Sequence, residues 1–434
     1  MTSRTKNYYS QVMNTIGYKA VAILATYIAM PMMIHYLGSE KYGIWSTLLT
    51  VVTWVVFFDL GIGNGLRNKV AESLANKNRV TAREFIATGY SLIGIISIFS
   101  WLTLMVSSAF IPWQGVFNTT VIEETTLRLC MQITGSFIIF NFWIGLVQAL
   151  LGATQNTSMS ALGQSLVNIL VILLLYMSRE IYEASLLLMA VIYGSSIVIS
   201  NGLLNLWFFR KNRDLVPYYL IKKGRINAIL ALGSNFFIIQ LAGLVIFTTD
   251  KMLITQLIGP ASVTQFDIVF KLMSVAILVH TIVSSPLWSA YTEAMTVGDK
   301  SWIRDMLVKQ LQFFMLIAIG IAVLVATARP LISLWIGDDI SISTAVIVSL
   351  GTYAVVVTWN NVFAMIVNGI GKIKVQLYAA LIGMLINIPL SIVFVKYFDL
   401  GISGIVYGSV LSLLIGSISI PLQVYFNRKE WLGI

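Results

Sequence analysis

The chain has 434 residues, a mean hydropathy of +0.86 and a net charge of +10, with 58% hydrophobic and only 11% charged residues. Soluble globular proteins carry roughly 25% charged residues, and a surface this apolar would not stay dissolved in water. The composition therefore excludes a soluble protein and predicts an integral membrane protein with many spans.

Apolar runs along the chain predict about twelve transmembrane helices. Each run is continuously apolar rather than alternating, which favours helices over a membrane β-barrel. The first run follows Arg4 and Lys6, and no small-residue cleavage site comes after it, so we expect a span rather than a cleaved signal peptide. The predicted spans are 10–35, 42–66, 84–109, 126–152, 159–178, 185–209, 226–254, 262–287, 304–327, 342–368, 373–397 and 401–426.

Lysine and arginine are distributed unequally between the two sides. One set of connections carries most of them, including the longest connection, 210–225, whereas the opposite set holds only Lys41, Arg179, Arg329 and Lys396. The positive-inside rule then places both termini in the cytoplasm of a protein of the bacterial inner membrane. Basic loops of this kind lie beside anionic membrane lipid, and we expect no nucleic-acid partner.

The connection 210–225 also divides the chain into two halves of six spans each. A shift of about 220 residues aligns Gly152 with Gly371 and Asn168 with Asn387. Parallel repeats of this kind are typical of transporters. We therefore predict an all-α membrane protein with two pseudo-symmetric lobes, an N-terminal lobe over 1–209 and a C-terminal lobe over 226–434.

Among the ionisable side chains within the predicted spans, the sequence singles out Lys19, Asp59, Asp267, Lys271 and His280. A charge in the hydrocarbon core costs at least roughly 2.5–3.5 kcal/mol, so such a residue usually faces a cavity or a partner. Lys19 could instead extend to the headgroups, and Asp267 with Lys271, spaced i,i+4, could form a structural ion pair. A lone histidine such as His280 is more often a hydrogen-bonded packing residue than a functional group.

A shift of 221 residues places Asp59 on His280. The two could form a proton-linked gate, although the pattern slightly favours two separately packed polar residues. Asp250 and Lys251 fall near the outer end of the seventh span and are expected to be exposed at the interface. Arg67 follows the glycine-rich run 61–65, which could act as a hinge or as a headgroup contact, whereas the GxxxG of 404–408 predicts close helix packing.

The sequence contains no catalytic motif such as G-x-S-x-G, H-E-x-x-H or a P-loop. One cysteine and two histidines exclude a disulfide framework and a Cys/His zinc cluster. We therefore expect a protein that is not an enzyme and has neither cofactor nor metal.

Two stretches near the start, 36–45 and 59–68, closely resemble the beginning of Wzx-type O-antigen and polysaccharide flippases. Those flippases belong to the multidrug/oligosaccharidyl-lipid/polysaccharide exporter superfamily. The segments 249–251, 257–260, 286–294 and 368–372 are similar to later parts of that family, so the resemblance covers nearly the whole chain.

The resemblance implies two six-helix lobes around a cavity, alternating access, and a substrate built on undecaprenyl diphosphate. From their charges and positions we expect Lys19, Arg67 and Lys271 to bind the substrate, and Asp59, Asp250, Asp267 and His280 to act in coupling or gating. A polysaccharide polymerase and a chain-length regulator are possible partners, and the protein could act as a monomer. A drug/cation antiporter of the same superfamily and a membrane-embedded polysaccharide polymerase stay open as alternatives.

Overall fold

The computed structural model describes residues 3–56, 61–154, 156–179, 181–284 and 287–433, and the side chains within them except at 3–16, 55–56, 75, 157, 231–247, 289, 292–293 and 296. Helices joined by short turns make up these residues. The first helices are α1 (Ser3–Leu37), α2 (Ser39–Val56), α3 (Ile62–Ala75), α4 (Arg79–Ser107), α5 (Trp113–Phe117), α6 (Glu124–Ile144), α7 (Val147–Ala153), α8 (Thr157–Ser178) and α9 (Leu186–Lys211).

The later helices are α10 (Lys223–Leu257), α11 (Pro260–Ser284), α12 (Leu287–Val297), α13 (Lys300–Ile336), α14 (Thr344–Ile370), α15 (Lys374–Lys396), α16 (Gly401–Phe426) and α17 (Arg428–Trp431). Within the described part of the chain, ten helical segments are long and apolar enough to cross a membrane. The chain is therefore an all-α, multi-pass membrane protein.

Contacts divide the chain into two compact units, Met1–Leu241 and Ala242–Ile434. The division falls inside α10, beyond the connection 210–225. Leu215 of the connection and Ile229 of α10 are fully buried in the core cluster of the first unit, beside Leu66 and Phe208. The start of α10 thus packs with the first unit, and the predicted lobe boundaries stay a prediction.

The prediction of one continuous helix over 42–66 is wrong at Gly61. Gly61 precedes α3 with φ of 74°, a left-handed conformation that interrupts a helix and that glycine adopts without strain. Arg67 therefore lies on a separate helix, α3. Asp59 lies outside the described residues.

Two asparagines that the sequence repeat aligns have matching roles in their own units. Asn168 of α8 donates to the carbonyl oxygen of Ala22 and to Thr26 Oγ1 on α1, both at 2.9 Å. Asn387 of α15 accepts from Thr249 Oγ1 on α10 at 3.4 Å. Each contact joins the fifth predicted span of a half to its first, as expected when the two halves share one arrangement.

The predicted close packing at the GxxxG of 404–408 is confirmed. A Cβ on Gly408 would lie 2.3 Å from Ser391 Oγ and 2.8 Å from the Ser391 backbone nitrogen. Only glycine lets α15 and α16 approach this closely, because membrane helices associate mainly through direct packing.

Gly408→Ala should therefore destabilise the second unit by about 1–3 kcal/mol, the usual cost of overpacking a close contact. Thermal unfolding in detergent would show this as a lower melting temperature. Gly320→Ala is the matched control, since a Cβ at Gly320 meets nothing within 4 Å. Equal melting temperatures for the two variants would contradict the assignment of Gly408 to the helix contact.

Candidate functional site

A polar pocket in the first unit contains two basic side chains, Lys19 of α1 and Arg67 of α3. Its volume is about 490 Å³. Helices α7, α8 and α9 complete the wall. We call it the basic pocket, and its other lining residues are Gln148, Gly152, Ser160, Ala161, Gly163, Gln164, Val167, Ser200 and Asn201.

Lys19 owes its place to hydrogen bonds between α1 and α8. Ser165 Oγ donates to the carbonyl oxygen of Tyr18 at 2.5 Å, and Asn168 donates to that of Ala22. These bonds fix the α1 backbone on both sides of Lys19. Its side chain is exposed to the pocket rather than packed in the core.

Arg67 reaches the pocket across Gly152 of α7. A Cβ on Gly152 would lie 2.7 Å from Arg67 Nε and 3.1 Å from Cζ, so the guanidinium rests directly on the glycine. The α3 helix is held there by Leu66, which is fully buried in the core of the unit. Gly152 and Leu66 together therefore set the direction of the Arg67 side chain.

Side-chain amides form a hydrogen-bonded row beside the two cations. Gln148 Nε2 donates to Asn201 Oδ1 at 2.8 Å, and Asn201 Nδ2 donates to Asn141 Oδ1 at 2.7 Å. Sequence analysis missed these amides and Gln164. Their signal was the presence of polar amides inside long apolar spans, where unpaired polar groups are costly.

The charge of the basic pocket is positive. Its described lining residues include two cations and no carboxylate. Amides and hydroxyls supply both donors and acceptors, which suits a ligand with many hydroxyl groups. The structure thus brings Lys19 and Arg67, both predicted from the sequence, into one site that fits an anionic, polar ligand.

A second polar group lies in the other unit around Asp250 of α10. Asp250 is 8% exposed, and Ser409 Oγ of α16 lies 2.8 and 3.1 Å from its two carboxylate oxygens. Asn387 donates to Ser409 Oγ at 3.0 Å and, through Oδ1, accepts from Thr249. We call these four residues the acid network. The expectation that Asp250 is exposed at the membrane interface is wrong, because α15 and α16 cover it.

Asp267 of α11 forms an ion pair across to α10. Lys251 Nζ lies 2.8 Å from Asp267 Oδ1, and the Asp267 side chain is only 8% exposed. Lys271 lies one turn further along α11, on the same side as Asp267, and is half-buried. Lys251 was expected to be exposed at the interface, but it is tied to a neighbouring helix.

His280 is completely buried between α11 and α13. Its ring stacks on that of Phe313, with centroids 5.7 Å apart and planes at 12°, and Ser284 bridges towards Gln310 Oε1 at 3.0 Å. These contacts are those of a side chain packed in the protein core. The proposed gate with Asp59 stays a prediction, because Asp59 lies outside the described residues.

Comparison with solved structures identifies the fold as that of a transporter superfamily. An inward-facing multidrug resistance MATE family transporter of the MOP superfamily matches with a TM-score of 0.76 at 15% identity, over 96% of this chain and 99% of that one. A MOP superfamily transporter from Pyrococcus furiosus, described as having a binding pocket of reverse polarity, matches with a TM-score of 0.66 at 14% identity, over 98% and 96%. The fold is that of MOP superfamily transporters.

Sequence comparison gives the family. Residues 11–289 match the model of the polysaccharide biosynthesis protein family, and the chain belongs to that family. A putative O-antigen transporter of Salmonella typhimurium is 23% identical over 88% of this chain and 87% of its own length. A putative O-antigen export protein of Yersinia pseudotuberculosis is 21% identical over 92% and 91%. These matches confirm the resemblance to Wzx-type flippases.

Proposed function

We propose that the protein is a flippase that moves polyprenyl-diphosphate-linked oligosaccharide repeat units from the cytoplasmic to the periplasmic leaflet by alternating access. The observation that carries this proposal is the basic pocket, in which Lys19 and Arg67 lie beside a row of amides. The sequence relatives match over most of their length and are named as O-antigen transporters or an O-antigen export protein, which supports the same substrate class.

The chemistry of such a substrate explains the need for a polar pocket. An oligosaccharide and a diphosphate cannot cross hydrocarbon unaided, because burying their polar groups without partners costs several kcal/mol each. The lipid tail has no such barrier. Lys19 and Arg67 bind the diphosphate, with Arg67 able to form a bidentate pair and Lys19 acting as a point charge. Gln148, Gln164 and Asn201 bind sugar hydroxyls.

The membrane potential also favours the outward movement of an anionic headgroup. With both termini and the connection 210–225 in the cytoplasm, the protein lies in the inner membrane with its basic loops inside. A cell interior that is electrically negative then favours export by roughly 2.3 kcal/mol per charge per 100 mV. Lys271 is the additional substrate contact in the second unit, beside the Lys251–Asp267 pair.

The acid network is the proposed coupling element. Asp250 is buried among hydroxyl and amide groups. A buried negative charge is costly, so binding of a cation or a proton in the acid network would change its energy. Asp267, His280 and Asp59 complete the proposed coupling and gating residues. A polysaccharide polymerase and a chain-length regulator are the proposed partners, with undecaprenyl as the carrier lipid and a monomer as the working unit.

A drug/cation antiporter shares the fold but needs a different pocket. Cationic drugs require carboxylates, and the described lining of the basic pocket has none. A membrane-embedded polymerase of the same pathway would be an enzyme. The named relatives are transporters and an export protein, and the assignment here is a transporter that is not an enzyme.

Deletion of the gene tests the proposal. We expect lipid-linked repeat units to accumulate in the cytoplasmic leaflet while surface polysaccharide disappears, because the headgroup cannot cross by itself. The measurement is the accessibility of the units to a periplasmic sugar-modifying enzyme in spheroplasts. Units that reach the periplasm and merely fail to polymerise would contradict the flippase and support the polymerase.

A further inference from the structure

An apolar groove runs along the first unit between α4 and α6, apart from the basic pocket. Its volume is about 750 Å³. The walls are aliphatic and aromatic side chains, among them Ile95, Ile98, Trp101 and Trp143, which are 39–64% exposed. We call it the aromatic groove. An open apolar groove on a membrane helix pair is a place for a hydrocarbon chain.

The length of the aromatic groove matches one leaflet. Its lining on α4 extends from Tyr90 to Trp101, eleven residues apart, which is about 17 Å of helix. The hydrocarbon core of a bilayer is about 30 Å thick, so one leaflet contributes about half of that. A single acyl chain that lies in the groove would therefore stay within its own leaflet.

The connection between α9 and α10 closes one end of the groove. Tyr218 and Tyr219 line it there, and the backbone nitrogen of Leu220 donates to Ser91 Oγ at 3.1 Å. Arg83 donates to the carbonyl oxygen of Val216 at 2.9 Å. The connection is thus fixed against α4, and tyrosines at this level are typical of the membrane interface.

Basic residues surround this closed end. The guanidinium of Arg83 lies 4.9 Å from the centre of the Tyr218 ring, and that of Arg225 lies 4.6 Å from the Phe85 ring. Lys222 and Arg225 both pair with Glu84, and Lys223 is exposed beside them. Glu84 is paired with two of the four basic residues, Lys222 and Arg225, and the nearby Asp214 is paired with Arg79. With Arg79 included, five basic residues face two carboxylates, so the end of the groove carries a net positive charge.

We propose that the aromatic groove and the basic residues at its end form a binding site for an anionic phospholipid. One acyl chain lies between α4 and α6, and the phosphate lies at Arg83 and Lys223. The apolar length of the groove suits the acyl chain, and the positive charge at its end suits the phosphate headgroup. A lipid bound here would hold the connection against α4. The site is separate from the basic pocket, and the proposal stands whether or not the protein is a flippase.

Native mass spectrometry of the purified protein, with equal amounts of phosphatidylglycerol and phosphatidylcholine added, tests the site. We expect the wild type to retain phosphatidylglycerol at least about tenfold more than phosphatidylcholine, because basic residues near the surface favour anionic lipid. Ile98→Trp, which fills the groove, should reduce bound phosphatidylglycerol severalfold. Ile319→Trp, on an equally exposed position of α13, should leave it unchanged.

The charged end is tested by a second pair of variants. Arg83→Gln combined with Lys223→Gln should abolish the preference for phosphatidylglycerol, whereas Lys309→Gln combined with Lys374→Gln should preserve it. Equal retention of both lipids by the wild type, or unchanged retention in Ile98→Trp, overturns the proposal. Displacement of phosphatidylglycerol by polyprenyl phosphate would assign the groove to the tail of a polyprenyl lipid and would also overturn it.

Discussion

Replacing either Lys19 or Arg67 with alanine should reduce flipping of a polyprenyl-diphosphate-linked disaccharide in reconstituted vesicles by about tenfold or more. A hydrogen bond to a charged group contributes about 1.5–3 kcal/mol, and each 1.4 kcal/mol corresponds to a factor of ten. The double variant should lose at least about a hundredfold, since both cations line one pocket. Lys19→Arg and Arg67→Lys should each retain part of the activity, because the charge is preserved.

Lys374→Ala is the control, because Lys374 is an exposed cation at the start of α15, outside the basic pocket. Full activity in both single alanine variants, with the proteins stably inserted, would place Lys19 and Arg67 among residues that only extend to the headgroups. Loss of insertion would be visible as loss of protein from the membrane fraction, so activity is compared per inserted molecule.

A variant that leaves both charges in place provides an independent test of the basic pocket. Gly152→Ala would put a Cβ 2.7 Å from Arg67 Nε, so the guanidinium must move. Stability should change little, because a flexible side chain can give way. Flipping should fall, since the diphosphate contact depends on the position of Arg67. Gly202→Ala is the matched control, because nothing lies within 4 Å of a Cβ there. Unchanged flipping in Gly152→Ala would argue against a direct contact by Arg67.

The second large effect is expected at Asp250. Asp250→Asn should abolish stimulation of flipping by an ion or pH gradient, because the variant carries no charge that an ion or a proton could neutralise. The asparagine can still accept from Ser409, so the α10–α16 contact and the melting temperature should be largely preserved. The measurement is flipping in vesicles with and without an imposed gradient, at the same internal pH.

Asp305→Asn provides the matched control for this substitution. Its side chain is 60% exposed and pairs with its neighbour Arg304, so removal of its charge should not affect the gradient response. A gradient response that survives in Asp250→Asn would remove the acid network from coupling. The variant His280→Gln then tests the alternative that His280 couples the gradient to flipping. His280 is buried against Phe313 and lies outside the acid network, so the two variants report on different sites.

The sequence predicted the basic pocket in part. Lys19 and Arg67 stood out because charges in apolar spans are expensive, and the structure places both in one pocket. Gln148 and Asn201 did not stand out, because amides inside membrane helices commonly bond to neighbouring helices. Only the packing of α7 against α9 shows that these two amides lie beside the cations.

The ion pair of Asp267 shows a different limit. The i,i+4 spacing with Lys271 suggested a pair within one helix, which local periodicity can reveal. The observed partner at 2.8 Å is Lys251 on α10, sixteen positions earlier in the chain. Such a contact depends on how two helices are rotated against each other, and that rotation is set by side-chain packing rather than by periodicity.

By itself, the sequence determined the membrane class, the helical fold and the family resemblance, because hydrocarbon admits only spans that satisfy their own backbone hydrogen bonds. It also determined which charges needed an explanation. The tertiary structure decided which groups surround those side chains. It buried Asp250 under α15 and α16 and packed His280 on Phe313. These outcomes depend on contacts between helices distant in sequence, and no pattern within one helix encodes such contacts.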